Sequence, residues 1–178
     1  MKLGKIEITL LVVLALALAL RLLPIGYGLP LSLFNDEYVQ VASALKMMEA
    51  QTLFLSFSYL PPLMAYLLIP FIALYGVFGM LFGIFDSLDG FKTFILLNSQ
   101  QLLIFNRILV ALAGTAAVWL TYKLGSKIFG KLVGLIAALW LALDFLHLHS
   151  SASGRFWIPL GLLMLLAIYS LWQLAKTG

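Results

Sequence analysis

Long apolar runs separated by short polar breaks set the rhythm of this chain. Ile8 to Leu20 is apolar apart from Thr9, and Leu63 to Phe85 is apolar with Pro70, Gly76, Gly79 and Gly83 inside it. Leu102 to Tyr122 is broken only by polar groups such as Asn106-Arg107, and Leu132 to Leu148 and Phe156 to Leu174 follow. The longest of these, Leu63–Phe85, Leu102–Tyr122 and Phe156–Leu174, match the hydrocarbon thickness of a bilayer when coiled as helices. No alternating strand pattern and no internal repeat interrupts them. The expected fold is all-α: a polytopic transmembrane helical bundle, with residues 1–178 forming one membrane domain.

The first run admits two readings. Ala15-Leu16-Ala17 or Ala17-Leu18-Ala19 fits the small-x-small rule of a cleaved signal peptide. Apolar character that continues past Arg21 to Ile25 favours an uncleaved first transmembrane helix over residues 5–24, ended by Pro24, Gly26 and Gly28. Residues 25–58 then form a first external loop. Within it, Asn35 or Asp36 can cap a helix running to about Gln51, with Tyr38, Val41, Leu45 and Met48 at helical spacing. That pattern predicts an amphipathic juxtamembrane helix lying along the membrane surface. Tyr59-Leu60-Pro61-Pro62 predicts the start of the next helix, since a proline N–H would be unpaired there anyway. Asp86 to Lys92 reads as a polar turn, and His149 to Arg155 as a polar loop.

Composition agrees with the pattern. The chain is 63% hydrophobic and 10% charged, with a mean hydropathy of +1.10. Soluble domains average about half apolar and roughly 25% charged residues. Cysteine is absent, which removes disulfides, thiolate metal sites and a cysteine nucleophile. The net charge of +4 is spread without the basic, aromatic-interleaved runs of nucleic-acid binders, so no nucleic-acid partner is expected.

Charge then orients the chain. Lys2 and Lys5 hold the N-terminus in the cytoplasm by the positive-inside rule, and Asp36 and Glu37 fall on the outer face. Lys123, Lys127 and Lys131 form a second basic cluster. If that cluster is cytoplasmic, Arg107, His149 and Arg155 share the outer face with Asp36, and residues 61–100 make no net crossing. If residues 61–85 cross fully, the lysines are placed outside. The first arrangement obeys the positive-inside rule and is the expected one.

Four groups invite a chemical role. Asp36 and Glu37 are adjacent and project about 100° apart on a helix. Capping of the helix start explains such a pair as well as catalysis does. Arg107 lies in an apolar run, where a charge points to a function or an internal partner, or snorkels to the headgroups. Arg155, before Trp157, suits phosphate binding or interfacial anchoring. Asp144, His147 and His149 lack the i, i+4 histidine spacing of a helical zinc site, so no metal site is expected there. Gly130 and Gly134 suggest close helix packing.

Three blocks in order carry a family resemblance. They are Asp36-Glu37-Tyr38-Val39-Gln40-Val41-Ala42, then Tyr59-Leu60-Pro61-Pro62-Leu63-Met64-Ala65-Tyr66-Leu67, then Asn106-Arg107 through Tyr122–Gly130 to His149-Ser150 and Gly154-Arg155-Phe156. Together they resemble the N-terminal module of GT-C membrane glycosyltransferases, closest to the protein O-mannosyltransferase and aminoarabinose-transferase-like groups. The resemblance implies inverting transfer of a sugar from a polyprenyl-phosphate donor to an acceptor protein, lipid or glycan at the external face of the membrane. It implies Asp36 as base, with Glu37 at the donor or a divalent cation. It implies Tyr59, Pro61, Pro62, Arg107, His149 and Arg155 as substrate-binding residues. No cofactor is required by these residues, and a divalent cation is compatible with them. The family often places an aspartate shortly after the second arginine; Phe156-Trp157-Ile158-Pro159 carries none. The family's module also has more spans than this chain has apolar runs, so the resemblance implies a truncated gene product, a fragment, or one part of a split enzyme with a second chain completing the site. The alternative is a non-catalytic or truncated membrane protein, a scaffold or transport subunit.

Overall fold

The computed structural model describes residues 4–31, 35–55 and 60–177. Among them are eight helices and no strand: α1 Lys5–Leu22, α2 Asn35–Glu49, α3 Leu63–Leu81, α4 Leu88–Leu97, α5 Gln100–Phe129, α6 Lys131–Leu143, α7 Phe145–Ala152 and α8 Trp157–Thr177. By length and composition α3, α5 and α8 can each cross a membrane. The pair α6 and α7, bent by 57° at Asp144, is long and apolar enough only when taken together, as a broken span or a re-entrant loop. α1 has its expected extent, but its 18 residues include Lys5, Glu7 and Arg21, leaving a shorter apolar stretch between the charges. The chain divides into two compact units, Met1–Ile25 with Ile108–Gly178, and Gly26–Arg107; α5 contributes to both.

In the Gly26–Arg107 unit, α2 packs on α3. The buried stripe of α3 is Met64 and Ala65, then Leu68, Ile72, Gly76 and Gly79 at three- to four-residue spacing. On α2 the buried positions are Glu37, Gln40, Val41, Ala44 and Met47. This is one residue out of register with the stripe expected from Tyr38, Val41, Leu45 and Met48; Tyr38 is 56% exposed. Glu37 turns inward to a cation, and the whole helix face turns with it.

The glycines of α3 do not break it. Gly76 faces the ring of Phe91, 2.7 Å from where a Cβ would sit, and Gly79 meets the ring of Phe85. They are sockets for an aromatic cluster in which Tyr75 contacts Phe85, Phe91 and Phe105 edge-on. The expected polar turn at Asp86–Lys92 is shorter than it reads. Ser87 accepts the Gly90 N–H and starts α4, with Asp89 in its first turn, so a short helix folds back against α3.

In the other unit, Val13 and Ala17 of α1, Val118 of α5, and Ala138 and Ala142 of α6 form the core. Small residues let these backbones approach closely. The tightest approach joins Gly134 to α5, not to Gly130. A Cβ on Gly134 would lie 2.6 Å from the Ser126 nitrogen and 2.7 Å from the Tyr122 oxygen, both main-chain atoms that cannot step aside. Gly130 instead turns the chain at φ 98° between α5 and α6. Gly134→Val should therefore destabilise the protein by about 1–3 kcal/mol or more. Gly161→Ala, with open space at its Cβ, should leave thermal unfolding in detergent unchanged. Equal melting of the two variants would refute this packing.

Asp144 explains the α6–α7 break. Its own backbone leaves the helical region, and its side chain accepts the His147 N–H at 2.8 Å, ending one helix and capping the next. Of the polar segment His149 to Arg155 that reads as a loop, His149–Ala152 form the last turn of α7, and residues 153–155 form the turn that follows.

Candidate functional site

Glu37 and Arg107 meet in the interior of the Gly26–Arg107 unit. Each side chain is essentially fully buried. Arg107 donates Nε–H to Glu37 Oε1 at 2.7 Å and Nη2–H to Oε2 at 3.0 Å, a two-pronged pairing that only a guanidinium can make with a carboxylate. Arg107 Nη1 donates to the Tyr27 carbonyl at 2.8 Å. One cation thus ties α5, the first turn of α2 and the segment after α1. Burial pushes the Glu37 carboxyl above the ordinary glutamate range, and the Arg107 hydrogen bonds and charge oppose that rise. Gln40 lies one turn further on the same buried face and donates Nε2–H to the Asp36 carbonyl at 2.9 Å.

Asp36 differs from its neighbour. It sits in the same first turn, where the helix dipole favours an anion, yet it is only half-buried. Among the described residues its carboxylate accepts no hydrogen bond. Two adjacent carboxylates therefore have separate environments, one locked on an arginine and one open. Nothing in the local sequence divides them, because a single helical turn points them apart without saying which faces inward.

The other expected site residues are placed as follows. Pro62 caps the start of α3 and Pro61 precedes it, exposed. Tyr59 lies outside the described residues. His149, in the other unit, stacks on Phe145 with ring centroids 5.9 Å apart, and its carbonyl accepts the Ser153 hydroxyl. Arg155 occupies the turn between α7 and α8, its N–H bonded to the Ser150 carbonyl at 3.2 Å. Of the expected set, the structure brings Glu37 and Arg107 into direct contact. No group of three His, Asp or Glu residues able to hold a metal ion occurs among the described residues.

A second buried cation went unrecognised in the sequence. Arg21, in the last turn of α1, has no solvent exposure. Its Nη1 donates to the Ala17 carbonyl at 2.6 Å, and its Nη2 lies 2.8 Å from His147 Nδ1. Arginine has only donors, so Nδ1 must be the acceptor and the imidazole proton sits on Nε2. The Nε of Arg21 is buried without a hydrogen-bond partner. Gly114 admits the guanidinium: a Cβ there would stand 3.0 Å from Nε and 2.5 Å from the Ser151 hydroxyl. The signal was available, since an arginine at the end of an apolar helix demands a partner. The partner, 126 residues away, was not.

The unit also has a direction. Lys127, near the end of α5, lies over the rings of Tyr169 and Trp172 near the end of α8. Arg21, at the end of α1, meets α7, and α7 joins α8 at that helix's start. The lysine end and the Arg21–His147 end are therefore opposite ends of this unit, with α1 running from the first toward the second.

No protein-family model, no curated protein and no solved structure matches the chain. What stands on the structure is an all-helical protein with helices long and apolar enough to cross a membrane.

Proposed function

We propose that the chain is the N-terminal membrane module of a GT-C-type glycosyltransferase, acting at the external face of the cell membrane with its N-terminus in the cytoplasm. The observation that carries this reading is the division of labour between Asp36 and Glu37. Glu37, held by Arg107, fixes the first turn of α2, and the open Asp36 carboxylate beside it is free to take a proton. α2 is proposed as a juxtamembrane helix at the boundary where a lipid-linked donor meets a water-borne acceptor, within a polytopic bundle. Asp36 removes the acceptor hydroxyl proton as the oxygen bonds to the anomeric carbon. The bond from that carbon to the phosphate oxygen breaks, polyprenyl phosphate leaves, and the configuration inverts. Arg107 and Arg155 as contacts to the carrier phosphate and His149 as a substrate contact rest on the family resemblance alone, as do a divalent cation near the donor and a second chain completing the site. A cytoplasmic lysine end, with α1 starting there, suits the positive-inside rule.

A general base contributes about 10²–10⁴-fold to a rate. Asp36→Asn should lower sugar transfer from a polyprenyl-phosphate donor by that order in membranes carrying the protein, with folding intact because the Glu37–Arg107 pair is untouched. Transfer by Asp36→Asn at the unaltered rate would remove the assignment. The mutual pairing of Glu37 and Arg107 favours a second reading, a non-catalytic membrane protein in which the pair is purely structural. It predicts no transfer by the unaltered chain at all.

A further inference from the structure

We infer that the lysine end of the Met1–Ile25 and Ile108–Gly178 unit is a binding site for the headgroup of an anionic glycerophospholipid. Three helices bring cations to this end: Lys123 and Lys127 on α5, Lys131 at the start of α6 and Lys176 at the end of α8. Three of the four are held over aromatic faces. Lys123 lies 4.2 Å from the Trp119 ring centroid, Lys127 5.0 Å from Tyr169 and 5.5 Å from Trp172, and Lys176 4.6 Å from Trp172. Ring faces attract an ammonium group without neutralising it, so the cluster keeps its charge. Among the described residues, no carboxylate forms an ion pair with any of these lysines. Glu7, carried to this end by the start of α1, is bonded to the Gly4 N–H at 2.9 Å.

The surroundings choose the ligand. A free anion would be served by cations in a polar setting. Here Phe129, Leu132, Leu171 and Leu174 are each at least 65% exposed beside the lysines. Exposed apolar side chains next to a ring of lysines, tryptophans and a tyrosine match the boundary between acyl chains and headgroups. The phosphodiester is assigned to Lys127 and Lys176, whose ammonium groups both lie over the Trp172 ring, and the acyl chains to the apolar side chains.

The test uses the full chain in detergent, with Trp119→Phe, Trp140→Phe and Trp157→Phe leaving Trp172 as the reporter. Brominated phosphatidylglycerol and brominated phosphatidylcholine are titrated separately, and quenching gives the two affinities. Phosphatidylglycerol should bind more tightly, with a preference that shrinks as salt rises. Each lysine at a headgroup contributes about fivefold in binding, so Lys127→Gln with Lys176→Gln should remove roughly 25-fold of the preference. Native mass spectrometry of the unaltered chain should retain phosphatidylglycerol over phosphatidylcholine, independently of the tryptophan replacements. Equal affinity for the two lipids would overturn the proposal, as would a preference unchanged in the double lysine variant. Displacement by inorganic phosphate at constant ionic strength would assign the site to a free anion and overturn it equally.

Discussion

Glu37→Gln should destabilise the protein by about 3–5 kcal/mol, because it leaves the Arg107 guanidinium buried without its counter-charge. The glutamine is nearly isosteric, so packing is preserved and electrostatics alone change. It keeps one acceptor oxygen but presents an NH₂ group where Arg107 donates Nη2–H or Nε–H. The Tyr27 carbonyl still holds Nη1, and that neutral contact cannot compensate a charge. Glu37→Met with Arg107→Met should recover most of the loss, since well-packed apolar replacements of a buried ion pair are often neutral or stabilising. Denaturant unfolding in detergent, followed by tryptophan fluorescence, measures both. A single variant within about 1 kcal/mol of the parent would mean that water or lipid headgroups reach Arg107. The pair would then not be the buried tie between α2 and α5. The double variant should stay folded, and under the proposed function it should lose sugar transfer because Asp36 no longer has a rigid neighbour.

Why Glu37 was unreadable is a matter of distance along the chain. The periodicity of α2 puts Tyr38, Val41, Leu45 and Met48 on one side, and nothing local favours rotating that side by one residue. Only a cation 70 positions away does so. The places of α3 and α8 were legible because bilayer thickness and backbone satisfaction act on composition, which is local, whereas α5 runs on through Lys123 and Lys127 to Phe129, past the apolar run that ends at Tyr122. Asp144 could be recognised as an anomalous ionisable group, but not as a cap. Capping depends on where the backbone leaves the helical region, and an apolar run continues on both sides of it. α4 was missed for the opposite reason. Its cap, Ser87, and its first acid, Asp89, look like turn residues, and only Phe91 and Ile95 mark its buried face. Helix propensity counts glycines as weak points, whereas the rings of Phe91 and Phe85 occupy the space that Gly76 and Gly79 leave.

Arg21 and His147 yield an expectation of the same size with a different logic. His147→Leu should cost about 3–5 kcal/mol, since Arg21 then keeps one carbonyl partner for a fully buried charge whose Nε already lacks one. Arg21→Met in that background should restore most of the loss, because it removes the charge that needed solvation. Arg21→Met alone should fall between, leaving only a neutral imidazole nitrogen unpaired, at about 1–3 kcal/mol. The non-additivity in this cycle measures the contact directly. The position of Arg21 explains why its charge is tolerated at all: the last carbonyls of α1 and the negative end of its dipole surround it. What the contact accomplishes is mechanical. It joins the end of α1 to the first turn of α7, immediately after the 57° break at Asp144. The restored double variant should therefore melt near the parent but exchange its α7 amide hydrogens faster, because the first turn of α7 has lost its cross-link while the Asp144 cap remains. Protection of those amides unchanged in the double variant would show that Asp144 alone holds the bend, with Arg21 an incidental neighbour.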